Sequence, residues 1–133
     1  MYIDASAIVG ILAQEPEADS LIAALAASDP AQRMTSPVAI FEAVFGLARI
    51  FQCTIADARV AVSDFLTEAE IAIHGLSEAH GDLAIVAMER FGKGRHPAGL
   101  NMGDCFGYAM AKAARSPILF KGNDFTLTDL VLA

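Results

Sequence analysis

The sequence predicts an α/β fold, a parallel sheet covered by helices on both faces, and three observations lead there. Four short apolar runs suit strands, the first and last of them buried: Tyr2-Ile3, Met34-Thr35, Ile71-Ala72-Ile73 and Pro117-Ile118-Leu119-Phe120. Segments of helical periodicity separate each run from the next. No internal repeat, low-complexity stretch or linker interrupts the 133 residues, so a single domain over 1–133 is expected.

Taken in order, Tyr2-Ile3 ends at Asp4 and is followed by two predicted helices, Ser6 to Ala13 and Ala18 to Ala27, broken around Glu15-Pro16. After Met34-Thr35, Ser36 and Pro37 supply an N-cap and a proline at the first helical position. The helix from Pro37 to Phe51 stacks Phe41, Val44, Phe45 and Ala48 on one face. Thr54 opens another helix to about Ala69, striped by Ile55, Ala58, Val62, Phe65 and Leu66. Ser77 to Phe91 is a helix, Gly92 to Gly99 a flexible basic loop, and Gly103 to Arg115 a last helix. The strand Pro117–Phe120 ends in the turn Lys121-Gly122-Asn123-Asp124.

The hydrophobic fraction of 55% is enough for a core without staples. No run approaches the ~18 apolar residues that span a bilayer. Met1-Tyr2-Ile3-Asp4 lacks the basic start of a signal peptide, and Cys53 and Cys105 show no metal spacing. A cytoplasmic chain with two free, mostly buried thiols is the expectation. The net charge of −7 would speak against nucleic acid if it were spread evenly, and it is not. Residues 1–89 carry thirteen acids against Arg33, Arg49 and Arg59, whereas six bases meet three acids in residues 90–133. One face can therefore still receive a polyanion.

Most of the acids fall on polar faces or in turns, but four do not. Asp4 directly follows the first strand, where open α/β sheets place their ligand crevice, although capping the next helix is an equally ordinary task for Asp. Glu42 is the sole acid of its helix, borders the apolar stripe and has the small neighbours Ala39, Ala43 and Gly46, although a rim glutamate that swings out to solvent would read the same way. Asp104 opens a helix, where the macrodipole alone would favour it. Asp124 follows the last strand through a Gly-Asn turn, a common setting for Asp. Singly these are weak signals. Together they can converge at one end of a parallel sheet, where carboxylates repel unless a hard cation neutralises them. Oxygen-only ligands favour Mg²⁺ or Mn²⁺, and such a site suits phosphodiester chemistry.

The same residues lie in strings that resemble the VapC branch of the PIN-domain ribonucleases. MYIDASAIVGIL resembles that family's first strand with its D-x-S pattern, here Asp4 and Ser6. SPVAIFEAVFGLAR is similar to the segment with the helical glutamate, here Glu42. FGKGRHPAGLNMGDCFGYAMAK is the most specific stretch, and ILFKGNDFTLTDL resembles the closing strand and acidic turn. The resemblance implies a three-layer α/β/α sandwich and a Mg²⁺-dependent endoribonuclease that leaves a 5′-phosphate. It further implies a homodimer held inactive by a cognate VapB-type antitoxin. Carried over by residue, Asp4, Glu42 and Asp104 match the acidic triad. Asp124 matches a fourth acid, beside Asn123 where relatives often carry an acid. Thr128-Asp129 matches a recurring pair, with Asp129 read as a cap or chain-end contact.

On this reading Asp4 and Asp104 bind the principal ion, Glu42 and Asp124 complete the shell or orient the water, and Ser6 and Asn123 support from behind, with capping of the first helix an equal alternative for Ser6. Arg90, Lys93, Arg95 and His96 are assigned to RNA phosphates, although a merely solvated loop would carry the same charges. His74 and His80 are read as ordinary packing or surface histidines. Two other enzymatic or signalling folds fit less well. A phosphoacceptor receiver needs an Asp after a central strand, where this chain has His74, and a haloacid-dehalogenase-like phosphatase needs D-x-D where it has Asp4-Ala5-Ser6. A catalytically dead interaction domain is the third alternative, and the filled acid positions speak against it.

Overall fold

Tyr2–Ile3 (β1) lies near the middle of a wholly parallel four-stranded sheet in the computed structural model, which describes residues 1–133. Met34–Thr35 (β2), Ala72–Ile73 (β3) and Ile118–Leu119 (β4) complete it, in the order β3-β2-β1-β4. Tyr2 stands opposite both Met34 and Ile118, and Ile3 opposite Leu119. The strands of β1, β2 and β4 are buried, as continuous apolar runs in a parallel sheet should be, while the edge strand β3 is exposed.

Six helices connect the strands: α1 (Ala5–Leu12), α2 (Ala18–Ala27), α3 (Pro37–Phe51), α4 (Ile55–Glu68), α5 (Glu78–Phe91) and α6 (Met102–Ala113). The chain steps outward from β1 through β2 to β3, then crosses back to β4 on the far side of β1. Right-handed crossovers thus place α1 to α4 on one face and α5 and α6 on the other. The result is a three-layer α/β/α sandwich in which α1 packs on α2 and α3, α3 on α4, and α5 on α6. The reversal of strand order falls between β1 and β4, the topological position where open sheets bind ligands. There α6 reaches α3 across the strand ends.

Local chemistry sets the helix ends. Ser36 caps α3, its Oγ accepting from the Ala39 N–H at 3.2 Å with Pro37 at the first position. Thr54 caps α4 by accepting from the Asp57 N–H at 3.1 Å. Each such cap is worth about 1 kcal/mol. Ile3, Ile8, Leu47, Leu100, Tyr108 and Ile118 are fully buried in one continuous core, each contributing roughly 1.5–3 kcal/mol by burial. No helix is long and apolar enough to cross a membrane.

Several expectations need correction. The segment Gly92–Gly99 is not a flexible loop: Lys93 N–H donates to Leu100 O at 2.9 Å and Leu100 N–H to Phe91 O at 2.9 Å, closing it at its base. Within it, Arg95 and His96 N–H groups both donate to Gly92 O, and Gly94 and Gly99 supply the positive φ that the tight path requires. Cys53 is exposed, because Gln52 turns left-handed at the end of α3 and leaves Cys53 in the α3–α4 connection, whereas Cys105 is buried as expected. The last helix begins one residue early, at Met102, behind an Asn101 cap, and ends at Ala113. A 3₁₀ turn at Pro30–Gln32 was not foreseen. Nor was the return of the chain end alongside β4, where Ile118 N–H donates to Val131 O and Ala133 N–H to Ile118 O. Asp129 anchors that tail by accepting from the Tyr108 hydroxyl and from Lys112, both at 2.8 Å, so it is the chain-end contact that the sequence suggests.

Candidate active site

Asp4 leaves β1 and is only 6% exposed. The capping role that its position suggests is present. Its Oδ2 caps α1 by accepting from the Ser6 N–H at 3.0 Å, and the same oxygen accepts from the Ser6 hydroxyl at 2.6 Å. Ser6 Oγ in turn accepts from the Lys121 N–H at 3.0 Å. A hydroxyl anchored just after β4 therefore fixes the carboxylate that follows β1, across the reversal of strand order.

Glu42 projects from α3 and is half-buried, and Asp104 stands in the first turn of α6. Asp104 and Asn101 form a reciprocal cap: the Asn101 N–H donates to Asp104 Oδ2 and the Asp104 N–H to Asn101 Oδ1, both at 2.9 Å. Asp124 is exposed in the turn after β4. The four acids thus come from four segments, and their charges meet. Burial pushes the Asp4 carboxyl up from its ordinary range against the hydrogen bonds from Ser6, and Asp124 pushes it further. Burial first, then the charges of Asp4 and Asp104, raise Glu42 to about 7. Asp104 reaches about 6 through burial, opposed by its bond from Asn101 and helped by the charges of Asp124 and Asp4. No three of these carboxylates stand as a finished cage for an ion. What unites them is mutual repulsion, the condition a cation relieves.

Two glycines of α6, four residues apart and therefore on one helix face, lie against these carboxylates. A side chain at Gly103 would overlap the Glu42 carboxylate, and one at Gly107 would come within 3.2 Å of Asp4 Oδ1. Reading the sequence for charge passed over both. The available signal was energetic, since glycine inside a helix costs about 1 kcal/mol relative to alanine and needs a packing reason. The buried hydroxyl pair Tyr2 Oη and Ser36 Oγ, 2.9 Å apart, was also missed. Burial raises the Tyr2 phenol, against its hydrogen bond with Ser36, and the charges of Asp4 and Glu42 add to the rise.

The remaining candidates are placed as follows. Lys93 and Arg95 are exposed and form no ion pair. His96 is half-buried, accepts from the Ala98 N–H through Nδ1 at 3.1 Å and sets its edge against Phe91, so it braces the loop. Arg90 covers the Phe91 ring at 4.7 Å and pairs with Asp129 at 3.4 Å. The Asn123 side chain is exposed, and its carbonyl accepts from the Thr126 N–H and hydroxyl.

This geometry has counterparts. The PIN domain family model matches residues 1–130. A protein described as Ribonuclease VapC from Mycolicibacterium smegmatis is 40% identical over 130 residues, spanning 98% of this chain and 97% of that one. The chain belongs to the PIN-domain family, in its VapC branch. Among solved structures, Mycobacterium tuberculosis VapC20, described as a sarcin-ricin loop cleaving toxin, superposes with a TM-score of 0.78 at 16% identity. That match covers 99% of this chain and 97% of the other. A chain of a toxin–antitoxin complex from Klebsiella pneumoniae gives 0.69 at 19% identity, covering 99% and 95%. At such identities these two matches speak to the shared PIN fold.

Proposed function

We propose that this chain is a Mg²⁺-dependent endoribonuclease toxin, with Mn²⁺ a workable substitute, restrained by a VapB-type antitoxin. The observation that carries the reading is the meeting of Asp4, Glu42, Asp104 and Asp124 from four segments, at the reversal of strand order, with three of them pushed toward neutrality. The ribonuclease VapC relative supports the activity, and the toxin–antitoxin complex among its structural neighbours supports the partner.

The donor set fits the ion. All four groups offer carboxylate oxygen, which suits a hard cation better than a thiophilic one. Asp4 and Asp104 each commit Oδ2 to the protein, to Ser6 and Asn101, and keep their other oxygen outside those bonds. They are assigned the principal Mg²⁺, with Glu42 and Asp124 completing its surroundings or orienting the attacking water. A bound ion of this kind activates water, neutralises substrate charge and stabilises the leaving 3′ oxygen. The residues supply the rest. Ser6 keeps Asp4 in one orientation, Asn101 does the same for Asp104, and the exposed Lys93 and Arg95 hold the RNA backbone. Mapping 5′ ends in total cellular RNA after a pulse of expression tests the proposal. New 5′-phosphate ends are expected with the wild-type chain and not with Asp4→Asn, and identical maps would sink it.

The loop carries its own prediction. Lys93→Ala with Arg95→Ala should weaken RNA binding and lower the slope of affinity against salt by roughly 1–2, about 0.7 per lost phosphate contact on a single strand. Mg²⁺ affinity should be untouched. Binding measured from 50 to 200 mM salt decides, and an unchanged slope would move the RNA path toward Arg115, Lys112 and Lys121. A homodimer, implied by the resemblance, is read directly from sedimentation of the purified chain.

A further inference from the structure

Gly103 is buried in the first turn of α6, where that helix meets α3. A methyl group built on it would overlap Oε1, Oε2 and Cδ of Glu42, which are the three atoms nearest to that point. The obstacle is the tip of a flexible side chain, not backbone. A substitution at Gly103 can therefore be absorbed by swinging the carboxylate away, with the packing of α6 on α3 left as it is. At Gly107, four residues on, the added methyl would only brush Asp4 Oδ1 at 3.2 Å, and Asp4 is pinned by Ser6 and cannot swing in the same way.

We propose that Gly103 is a positioning residue, whose missing side chain is the seat that lets the Glu42 carboxylate stand among the other three acids. The inference rests on the metal-dependent nuclease reading for its consequence in catalysis, but the seat itself is a property of the apo chain. Alanine suits a helix better than glycine, so nothing in local propensity requires glycine here. The requirement comes from the carboxylate.

The test compares wild type, Gly103→Ala, Glu42→Ala and the double variant by three measurements: thermal midpoint without metal, Mn²⁺ affinity, and the side-chain carboxyl ¹³C resonance of Glu42. Gly103→Ala is expected to fold with an equal or higher midpoint, to shift the Glu42 resonance, and to weaken Mn²⁺ binding by about tenfold or more, the scale of lost support behind a metal ligand. In the Glu42→Ala background the same substitution should change Mn²⁺ affinity no further. A tenfold loss that persists there, or an unmoved Glu42 resonance in Gly103→Ala, would overturn the inference. If Gly103→Ala does not fold, the double variant decides. Its recovery shows that the carboxylate was the obstacle, and its failure shows that glycine serves the backbone approach of α6 to α3 instead. A wild-type chain that binds no Mn²⁺ while the Glu42 resonance still moves in Gly103→Ala would leave the seat standing and remove the metal reading alone.

Discussion

Asp4→Asn and Asp104→Asn should each reduce RNA cutting by roughly a hundredfold to a thousandfold or more, the scale of losing a group that stabilises developing charge, while the fold survives. The structure explains why these two effects separate. Asparagine caps a helix as well as aspartate does, so it can still accept from the Ser6 N–H at position 4 and from the Asn101 N–H at position 104. What it lacks is charge. In the apo protein that charge is a burden, because burial and like-charge neighbours raise the carboxyls of Asp4, Glu42 and Asp104. A carboxylate raised on folding binds its proton more tightly in the folded chain. Its stabilising contribution is then complete below the unfolded value near 4 and is lost as pH rises through the folded one, about 7 for Glu42 and about 6 for Asp104. The metal-free wild type should therefore lose thermal stability from about pH 4 to 7. Asp4→Asn should lose less and melt higher at pH 8. Added Mg²⁺ should raise the wild-type midpoint at pH 8 and raise that of Asp4→Asn far less. Thermal scans across pH, with and without Mg²⁺, check all three. Variants that melt lower than wild type at every pH would make these acids structural.

The fold was legible where periodicity and punctuation agreed. Ser36-Pro37 and Thr54 marked helix starts that the structure places at the same residues, and the four apolar runs became the four strands. What the sequence hid was long-range hydrogen bonding. Nothing local in Gly92–Gly99 shows that its ends pair with each other, so glycine and charge there suggested mobility when the backbone is in fact tied down. Nor does Val131–Ala133 show that it lies beside β4. Asp4 and Glu42 stood out locally, one directly after a strand and the other on an otherwise acid-free helix, whereas Asp104 and Asp124 sit where Asp is ordinary and drew notice only as part of the set. Gly103 and Gly107 were not legible, since a missing side chain has no chemistry to display. The electrostatic coupling among the four acids also belongs to the fold, because β1, α3, α6 and the turn after β4 are far apart in the chain.

The antitoxin should compete with Mg²⁺, by setting a cation where the ion belongs. An apolar groove lies between α3, the helix that carries Glu42, and α4, lined by Phe41, Phe45, Ile55 and Val62, with Arg59 among the few polar groups. Phe41 and Phe45 stack at 4.6 Å yet remain 63% and 51% exposed, an arrangement that leaves two aromatic faces unused by the core. Leu66 of the α4 stripe is buried and helps to floor the groove, while Phe65 packs against the core. Glu42 follows Phe41 on α3 but is turned about 100° away from it around the helix and faces Gly103 of α6, so a segment seated on the rings must reach over the edge of α3 to meet the carboxylates. An amphipathic partner segment would bury its apolar side on Phe41 and Phe45. An arginine on it would satisfy the acids, since its planar fork engages carboxylates in pairs of hydrogen bonds. This prediction rests on the nuclease proposal and is measured with the cognate antitoxin's C-terminal segment. Its affinity should fall as Mg²⁺ is titrated in, and should fall about tenfold or more with Asp104→Asn, the loss of one charge-assisted bond of roughly 1.5–3 kcal/mol. Phe41→Ala should weaken the segment without changing Mg²⁺ affinity. If binding ignores both Mg²⁺ and Asp104→Asn while Phe41→Ala still weakens it, the partner holds the groove and blocks the RNA path without entering the acidic site.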